Sequence, residues 1–193
     1  MTISRQTSHT LLDRLQDRND QAAWSIFVEL YRPLMYRSMM QLNIGPDEVD
    51  DLVQDCLLKL LAALPSFAHN GRPGAFRTWL RTIATNRAIE FLKHRQRGAE
   101  AMRNLSDLVE PCANSISEFL DREHDHLVIG KLLEMIRPEF TKSAWLAFER
   151  QVIDGESAKV VAEEMGRTVN SVLLYKSRVL RKLRELGQGI VEC

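Results

Sequence analysis

Four cations recur along one stretch of the chain: Arg77, Arg81, Arg87 and Lys93. Between them stand Thr78, Thr82, Thr85, Asn86 and Glu90. Cations in such a row neutralise phosphates, and an amide or hydroxyl beside them hydrogen-bonds a base edge or a sugar. The same stretch, "AFRTWLRTIATNRAIEFLKHRQR" from Ala75 to Arg97, also carries Phe76, Trp79 and Phe91. At about 3.6 residues per turn, Phe76, Trp79, Leu80, Ile83, Ala84, Ala88, Phe91 and Leu92 fall on one stripe, which faces a core. The polar side presents Arg77, Thr78, Arg81, Thr82, Thr85, Asn86, Glu90 and Lys93. Trp79 lies beside Thr78: core packing is the favoured role, and stacking of an exposed ring edge on an unpaired base is the alternative.

A second constellation lies near the C-terminus. "ESAKVVAEEMGRTVNSVLLYKSRVLRKLREL" reads as a helix-turn-helix. Val160, Val161, Ala162 and Met165 form a short apolar helix, Gly166 supplies the turn, and Thr168 caps a second helix from Val169 to about Leu186. Val172, Val179, Leu183 and Leu186 point inward; Ser171, Leu174, Ser177, Arg178 and Arg181 point outward. A second helix of this kind lies in the major groove, with early residues at base edges and later cations at phosphates. An ordinary helical hairpin shares the glycine.

A third constellation is acidic. After Pro46, Val49, Leu52, Val53, Cys56, Leu57, Leu60, Leu61 and Leu64 make one continuous apolar stripe. The other side carries Asp50, Asp51, Gln54, Asp55, Leu58 and Lys59. A leucine ringed by charge suits a docking surface for a basic partner; a solvated acidic face with dipole-stabilised carboxylates is the plainer alternative.

The charge pattern links these elements. Formal net charge is zero over 193 residues. Yet residues 77–97 hold six Arg or Lys against one acid, and residues 165–184 hold six bases and no acid. Between them, over residues 98–164, acids outnumber bases fourteen to seven. Two basic segments around an acidic one point to a polyanion held at two places. Other classes lose support. No apolar run approaches the ~18 residues of a membrane span, and the N-terminus lacks a signal-peptide core, so a cytoplasmic protein is expected. Cys56, Cys112 and Cys193 are too scattered for a disulfide framework or a zinc site. His124-Asp125-His126 reads as a solvated turn rather than a metal site. No nucleophile–base pair, metal cluster or phosphate-cradling loop appears, so neither an enzyme nor a cofactor is expected.

The elements that position these residues read as helices throughout, an all-α chain. Ser8 or Thr7 caps a short helix over residues 10–16, and Asp20 caps a longer one through "QAAWSIFVELYRPLMYRSMMQL", bent or restarted at Pro33. "SFAHNGRPG" (Ser66–Gly74) reads as a loop. The periodicity weakens after Gly98, with Pro111, Cys112, Ala113 and Asn114 in the middle. This gives an N-terminal domain over 1–97, a flexible linker over 98–125 with its last part open to helix, and a C-terminal domain over 126–193.

In this order the three motifs resemble a bacterial sigma factor of the sigma-70 family, in its small extracytoplasmic-function class. "DEVDDLVQDCLLKLLAALPSF" (Asp47–Phe67) is similar to the family's core-polymerase-binding helix. "AFRTWLRTIATNRAIEFLK" (Ala75–Lys93) is similar to its promoter-melting and minus-ten-reading segment. "SAKVVAEEMGRTVNSVLLYKSRVLRKLRE" (Ser157–Glu185) is similar to its minus-thirty-five-reading helix-turn-helix. The resemblance covers about residues 10–97 and 127–187 and implies binding rather than catalysis. Core RNA polymerase would be met by Asp50, Asp51, Gln54, Asp55, Leu58 and Lys59. The melted non-template strand would be met by Arg77, Thr78, Trp79, Arg81, Asn86, Arg87, Glu90 and Lys93. Upstream double-stranded promoter DNA would be met by Arg167, Thr168, Asn170, Ser171, Leu174, Lys176, Ser177, Arg178 and Arg181. The class also admits an inhibitory anti-sigma partner. Two stretches depart from the family pattern: "AHNGRPG" is longer than its usual loop, and Ser171-Val172-Leu173-Leu174-Tyr175 replaces its usual mid-helix residues. Two other readings stand beside this one: a stand-alone helix-turn-helix regulator, and a helical interaction module that binds no DNA.

Overall fold

A computed structural model describes residues 10–68, 72, 74–97 and 105–191. Among these residues the chain forms eight α-helices and no strand: α1 (Leu11–Arg14), α2 (Gln21–Met39), α3 (Pro46–Ala63), α4 (Ala75–Arg97), α5 (Leu105–Ile136), α6 (Lys142–Val152), α7 (Ala158–Glu164) and α8 (Val169–Gly187). None is long and apolar enough to cross a membrane. The chain divides into two compact units, Met1–Val128 with Gly189–Glu192, and Ile129–Gln188.

The first unit is built on local signals. Thr10, rather than the expected Thr7 or Ser8 (which lie outside the described residues), caps α1 through a reciprocal pair with Asp13. The Asp20 side chain accepts from Ala23 N at 2.9 Å and starts α2. Pro33 lies inside α2 without dividing it. Tyr31, Leu34 and Met35 around it are fully buried, so tertiary packing outweighs the lost backbone bond. Asn43, at φ 53°, ends the short 3₁₀ turn after α2, and Pro46 opens α3. The apolar stripe of α3 is buried as its spacing predicts, with Leu61 half-buried. On α4 the fully buried line is narrower than expected: Phe76, Leu80, Ala84 and Ala88. Ile83, Phe91 and Leu92 are half-buried. The Ser66–Gly74 loop lies in part outside the described residues.

Rings fill the centre of this unit. Phe76 stands 6.5 Å from Phe27, 5.6 Å from Tyr31, 5.5 Å from Phe67 and 5.5 Å from Trp79, ring centre to ring centre. Each aromatic pair of this kind is worth about 0.5–1.5 kcal/mol beyond area burial.

Part of the expected linker is a helix. Residues 98–104 lie outside the described residues, but α5 runs unbroken from Leu105 and contains Pro111. Pro111 and Asn114 are local breakers, and the weak pattern there suggested a flexible segment. Ile116, Leu120, His124 and Val128 recur every fourth residue and are fully buried, which sustains the helix. The first compact unit runs to Val128. His124 belongs to this helix and is buried, not part of a solvated turn.

The second unit packs α6, α7 and α8 around Ala147, Val161, Ala162 and Val172, with Ala158, Met165 and Tyr175 against them. Gly166 adopts φ +60°, a conformation that favours glycine, and turns α7 into α8. Thr141, Ser157 and Thr168 cap α6, α7 and α8 in turn.

A pH test follows from the α2 cap. The Asp20 carboxylate is held down at about 2, first by the hydrogen bond from Arg14 and then by the Ala23 N–H. The folded value lies below the ordinary 3.8, so this stabilisation is complete above that value and is lost as pH falls from there towards about 2. Asp20→Asn keeps the cap and removes the charge. Acid titration of helicity by circular dichroism is expected to show a smaller loss of stability across this window in the variant.

Candidate functional site

The α3 face comes first, because its exposure is a matter of rotation alone. With Leu57 and Leu60 buried, helical geometry turns Asp50, Asp51, Gln54, Asp55, Leu58 and Lys59 outward, and all six are exposed. Leu58 is 57% exposed, the second most exposed of the large apolar side chains among the described residues. Two of the acids are engaged at the edges of the face. Arg32 Nη2 donates to Asp50 Oδ1 at 3.2 Å, and Arg87 Nη2 donates to Asp55 Oδ2 at 2.9 Å. Behind the face, burial pushes the Cys56 thiol up to about 12, which keeps it protonated and unreactive at neutral pH.

On α4 the structure separates residues that the sequence placed together. Thr78, Asn86, Glu90 and Lys93 are exposed. Arg77, Arg81 and Arg87 are half-buried and paired within the chain. Arg87 joins α3 to α4, bridging Asp55 and Glu90. Arg77 and Arg81 turn instead to Asp125 and Asp121 of α5. Trp79 is half-buried, its ring 5.0 Å from Phe67 and 5.5 Å from Phe76, with one side left to solvent. Asn86 is thus the outward amide of this helix, flanked a turn or two away by Thr82, Glu90 and Lys93.

Asp121, His124 and Asp125 were not found from the sequence. His124 lies fully buried, its Nδ1 2.7 Å from Asp125 Oδ1 and its Nε2 3.5 Å from Tyr31 Oη. The carboxylate accepts from Nδ1–H, which leaves Nε2 to face the Tyr31 hydroxyl as an acceptor. Burial holds the Tyr31 hydroxyl well above its ordinary range, so it stays a donor. The only sequence signal was the i, i+4 spacing of two acids within an acidic segment, and these acids pair with residues 40 and 48 positions away.

On α8, Arg167, Thr168, Asn170, Leu174, Ser177, Arg178 and Arg181 are exposed, while Ser171 and Lys176 are half-buried. Thr168 and Ser171 are spent partly on the helix start: Ser171 N donates to Thr168 Oγ1 at 3.2 Å, and their hydroxyls lie 2.8 Å apart. Leu174 is 46% exposed, and Leu173 beside it 47%. Beneath them Gln151 Nε2 donates to the carbonyls of Ala147 and Val172, tying α6 to α8. Arg150 pairs with Glu156 and Glu164, whose hydrogen bonds raise its already high pKa. Arg150 thus partly offsets those two carboxylates, while on α8 Lys182 pairs with Glu139 at 2.7 Å and Arg181 stands 4.0 Å from Glu185.

Residues 27–98 match the family model Sigma-70 region 2, a span that contains most of α2 and all of α3 and α4. The ECF RNA polymerase sigma factor SigE of Mycolicibacterium smegmatis is 24% identical over 184 residues, which cover 93% of this chain. The chain carries a Sigma-70 region 2 over residues 27–98. It spans 66% of the length of that relative. Both exposed faces, on α3 and on α4, fall inside the matched span, and the α8 helix falls outside it.

The exposures make a stability test. Leu58→Ala and Leu174→Ala are expected to shift unfolding free energy by no more than about 0.5 kcal/mol. Leu60→Ala, at a fully buried site, is expected to cost about 2–5 kcal/mol. Urea titration separates the two groups. A large loss for Leu174→Ala would show that this side chain packs against α7 rather than serving a partner.

Proposed function

We propose that this chain is a sigma factor that binds core RNA polymerase and directs promoter recognition and the initiation of transcription. One observation carries the reading. Within the span that matches Sigma-70 region 2, α3 and α4 present two exposed faces of different chemistry, one acidic around Leu58 and one polar and basic around Asn86. The Mycolicibacterium smegmatis relative is named an ECF RNA polymerase sigma factor, which supports the same role here.

In this reading the α3 face docks on a basic surface of the polymerase. Leu58 serves as the apolar anchor, and Asp51, Gln54 and Lys59 form a polar rim. Asn86 and Trp79 hold melted non-template DNA, one by hydrogen bonds to a base and the other by stacking. Lys93 neutralises phosphate. The α8 helix meets upstream duplex, with Asn170, Leu174 and Ser177 towards base edges and Arg167, Arg178 and Arg181 towards phosphates. The chemistry asked of the protein is positioning and charge neutralisation. The bonds of RNA synthesis are made by the polymerase.

Co-purification tests the core of the proposal. The wild-type chain is expected to retain core polymerase, and Asp51→Arg with Leu58→Glu to lose it while circular dichroism is unchanged, since both side chains point away from the buried stripe. Retention by the double variant at wild-type affinity would refute the docking face. A chain that never retains polymerase, yet binds palindromic duplex, would be a stand-alone regulator.

The upstream contact has its own signature. Leu174→Ala is expected to weaken binding at a thymine-bearing base pair alone, because a leucine reads the thymine methyl. Arg178→Ala and Arg181→Ala are expected to weaken binding to all sequences and to lower the salt slope by about one each. Affinities against single-base variants of the upstream element at two salt concentrations decide between base readout and general phosphate binding.

A further inference from the structure

The polar side of α4 has an occupant within the chain. Arg77 Nη1 donates to Asp125 Oδ2 at 3.2 Å, and Arg81 Nη1 donates to Asp121 Oδ2. The partners are four residues apart on each helix, and the order is reversed: 77 meets 125 and 81 meets 121. This part of α5 therefore runs antiparallel to α4, one carboxylate per turn against one guanidinium per turn. Its register is set from below. Ile116, Leu120, His124 and Val128 are buried at the same four-residue spacing, and His124 is pinned between Tyr31 and Asp125. The segment is strongly acidic: residues 110–128 hold Glu110, Glu118, Asp121, Glu123 and Asp125 against Arg122.

We infer that Asp121 and Asp125 on this part of α5 form an autoinhibitory strap, which holds Arg77 and Arg81 of α4 until DNA phosphates displace the two carboxylates from them while the helix stays packed. The inference rests on the DNA-binding role proposed above for α4. A carboxylate on a guanidinium fork offers the same charge and the same planar pairing as a phosphate. Strap and strand therefore compete for the same two side chains. The pairs are poised to exchange: their side chains are 24–47% exposed, where water screens an ion pair and leaves it little net stability. A DNA strand presents phosphates continuously and gains by counterion release, which two isolated carboxylates do not. The hidden arginines explain why Asn86 and Lys93 stand exposed on the same helix while Arg77 and Arg81 do not.

The test uses the full chain and a fluorescent single-stranded oligonucleotide of mixed sequence, read by anisotropy. Asp121→Asn with Asp125→Asn is expected to bind roughly three- to tenfold more tightly than wild type, the scale of two weak ion pairs. Arg77→Ala with Arg81→Ala is expected to bind more weakly, and adding the two acid changes to that variant is expected to restore nothing. Glu110→Gln with Glu118→Gln removes equal charge from the same helix without touching the ladder, and its affinity is expected to stay near wild type. Unchanged affinity for the Asp121/Asp125 variant, with loss for the arginine variant, overturns the strap and leaves the α4 reading standing. Equal tightening by the Glu110/Glu118 control also overturns it, by reducing the effect to net charge. No loss for the arginine variant overturns the α4 reading and the strap together. If the double acid variant loses helicity, Asp121→Asn alone, at the more exposed end of the ladder, is subject to the same comparisons.

Discussion

Phe76 must be withdrawn from water, and the organisation of the first unit follows from where that places it. Its ring meets Phe27 and Tyr31 of α2, Phe67 after α3, and Trp79 one turn along its own helix. Five rings in contact remove a large apolar area from solvent and lock the rotation of α4 about its axis. Once Phe76 is fixed, the pitch of the helix leaves no choice further along. Leu80, Ala84 and Ala88 go inward, the last two small enough to let neighbouring elements approach closely. Thr78, Asn86, Glu90 and Lys93 go outward. The candidate DNA face is thus a consequence of an aromatic contact several turns away from its centre.

Electrostatics then decides which outward groups remain available. Arg87 is consumed in holding α3 to α4 through Asp55, and Arg95 pairs with Glu48 across the same two helices at 3.4 Å. Arg77 and Arg81 are engaged by α5. The second unit uses the opposite economy of charge. Arg150, itself only 17% exposed, draws Glu156 and Glu164 to α6 and its flanking turns, and the basic residues of α8 stand clear of those acids. A half-buried arginine between two carboxylates gains charge-assisted hydrogen bonds, whereas Arg178 and Arg181 of α8 stand exposed, where a cation costs little.

The helices themselves were legible because the signals that make them are local. Asp20, Thr168 and Pro46 act within one turn of where they stand, and the stripe of α3 is a periodicity carried by eight residues in sequence. The turn between α7 and α8 was legible for the same reason: Gly166 and the Thr168 cap mark it chemically. Where reading failed, a local sign was outvoted by a distant contact. Pro33 sits inside an unbroken α2 among buried neighbours, and Pro111 inside an unbroken α5 whose later turns are buried from Ile116 on.

The sequence by itself determined the all-α architecture, the acidic face around Leu58, the exposure of Asn86 and the position of the turn at Gly166. Each of these depends on the period of a helix or on a cap, quantities written in adjacent residues. Only the tertiary structure decided that Arg77 and Arg81 answer to Asp125 and Asp121, that His124 is a core residue against Tyr31, and that the first unit extends through Val128. Those contacts join residues 40 to 93 positions apart. Helical period states which way a side chain points, but the partner it meets depends on how separate helices are brought together, and no local pattern records that.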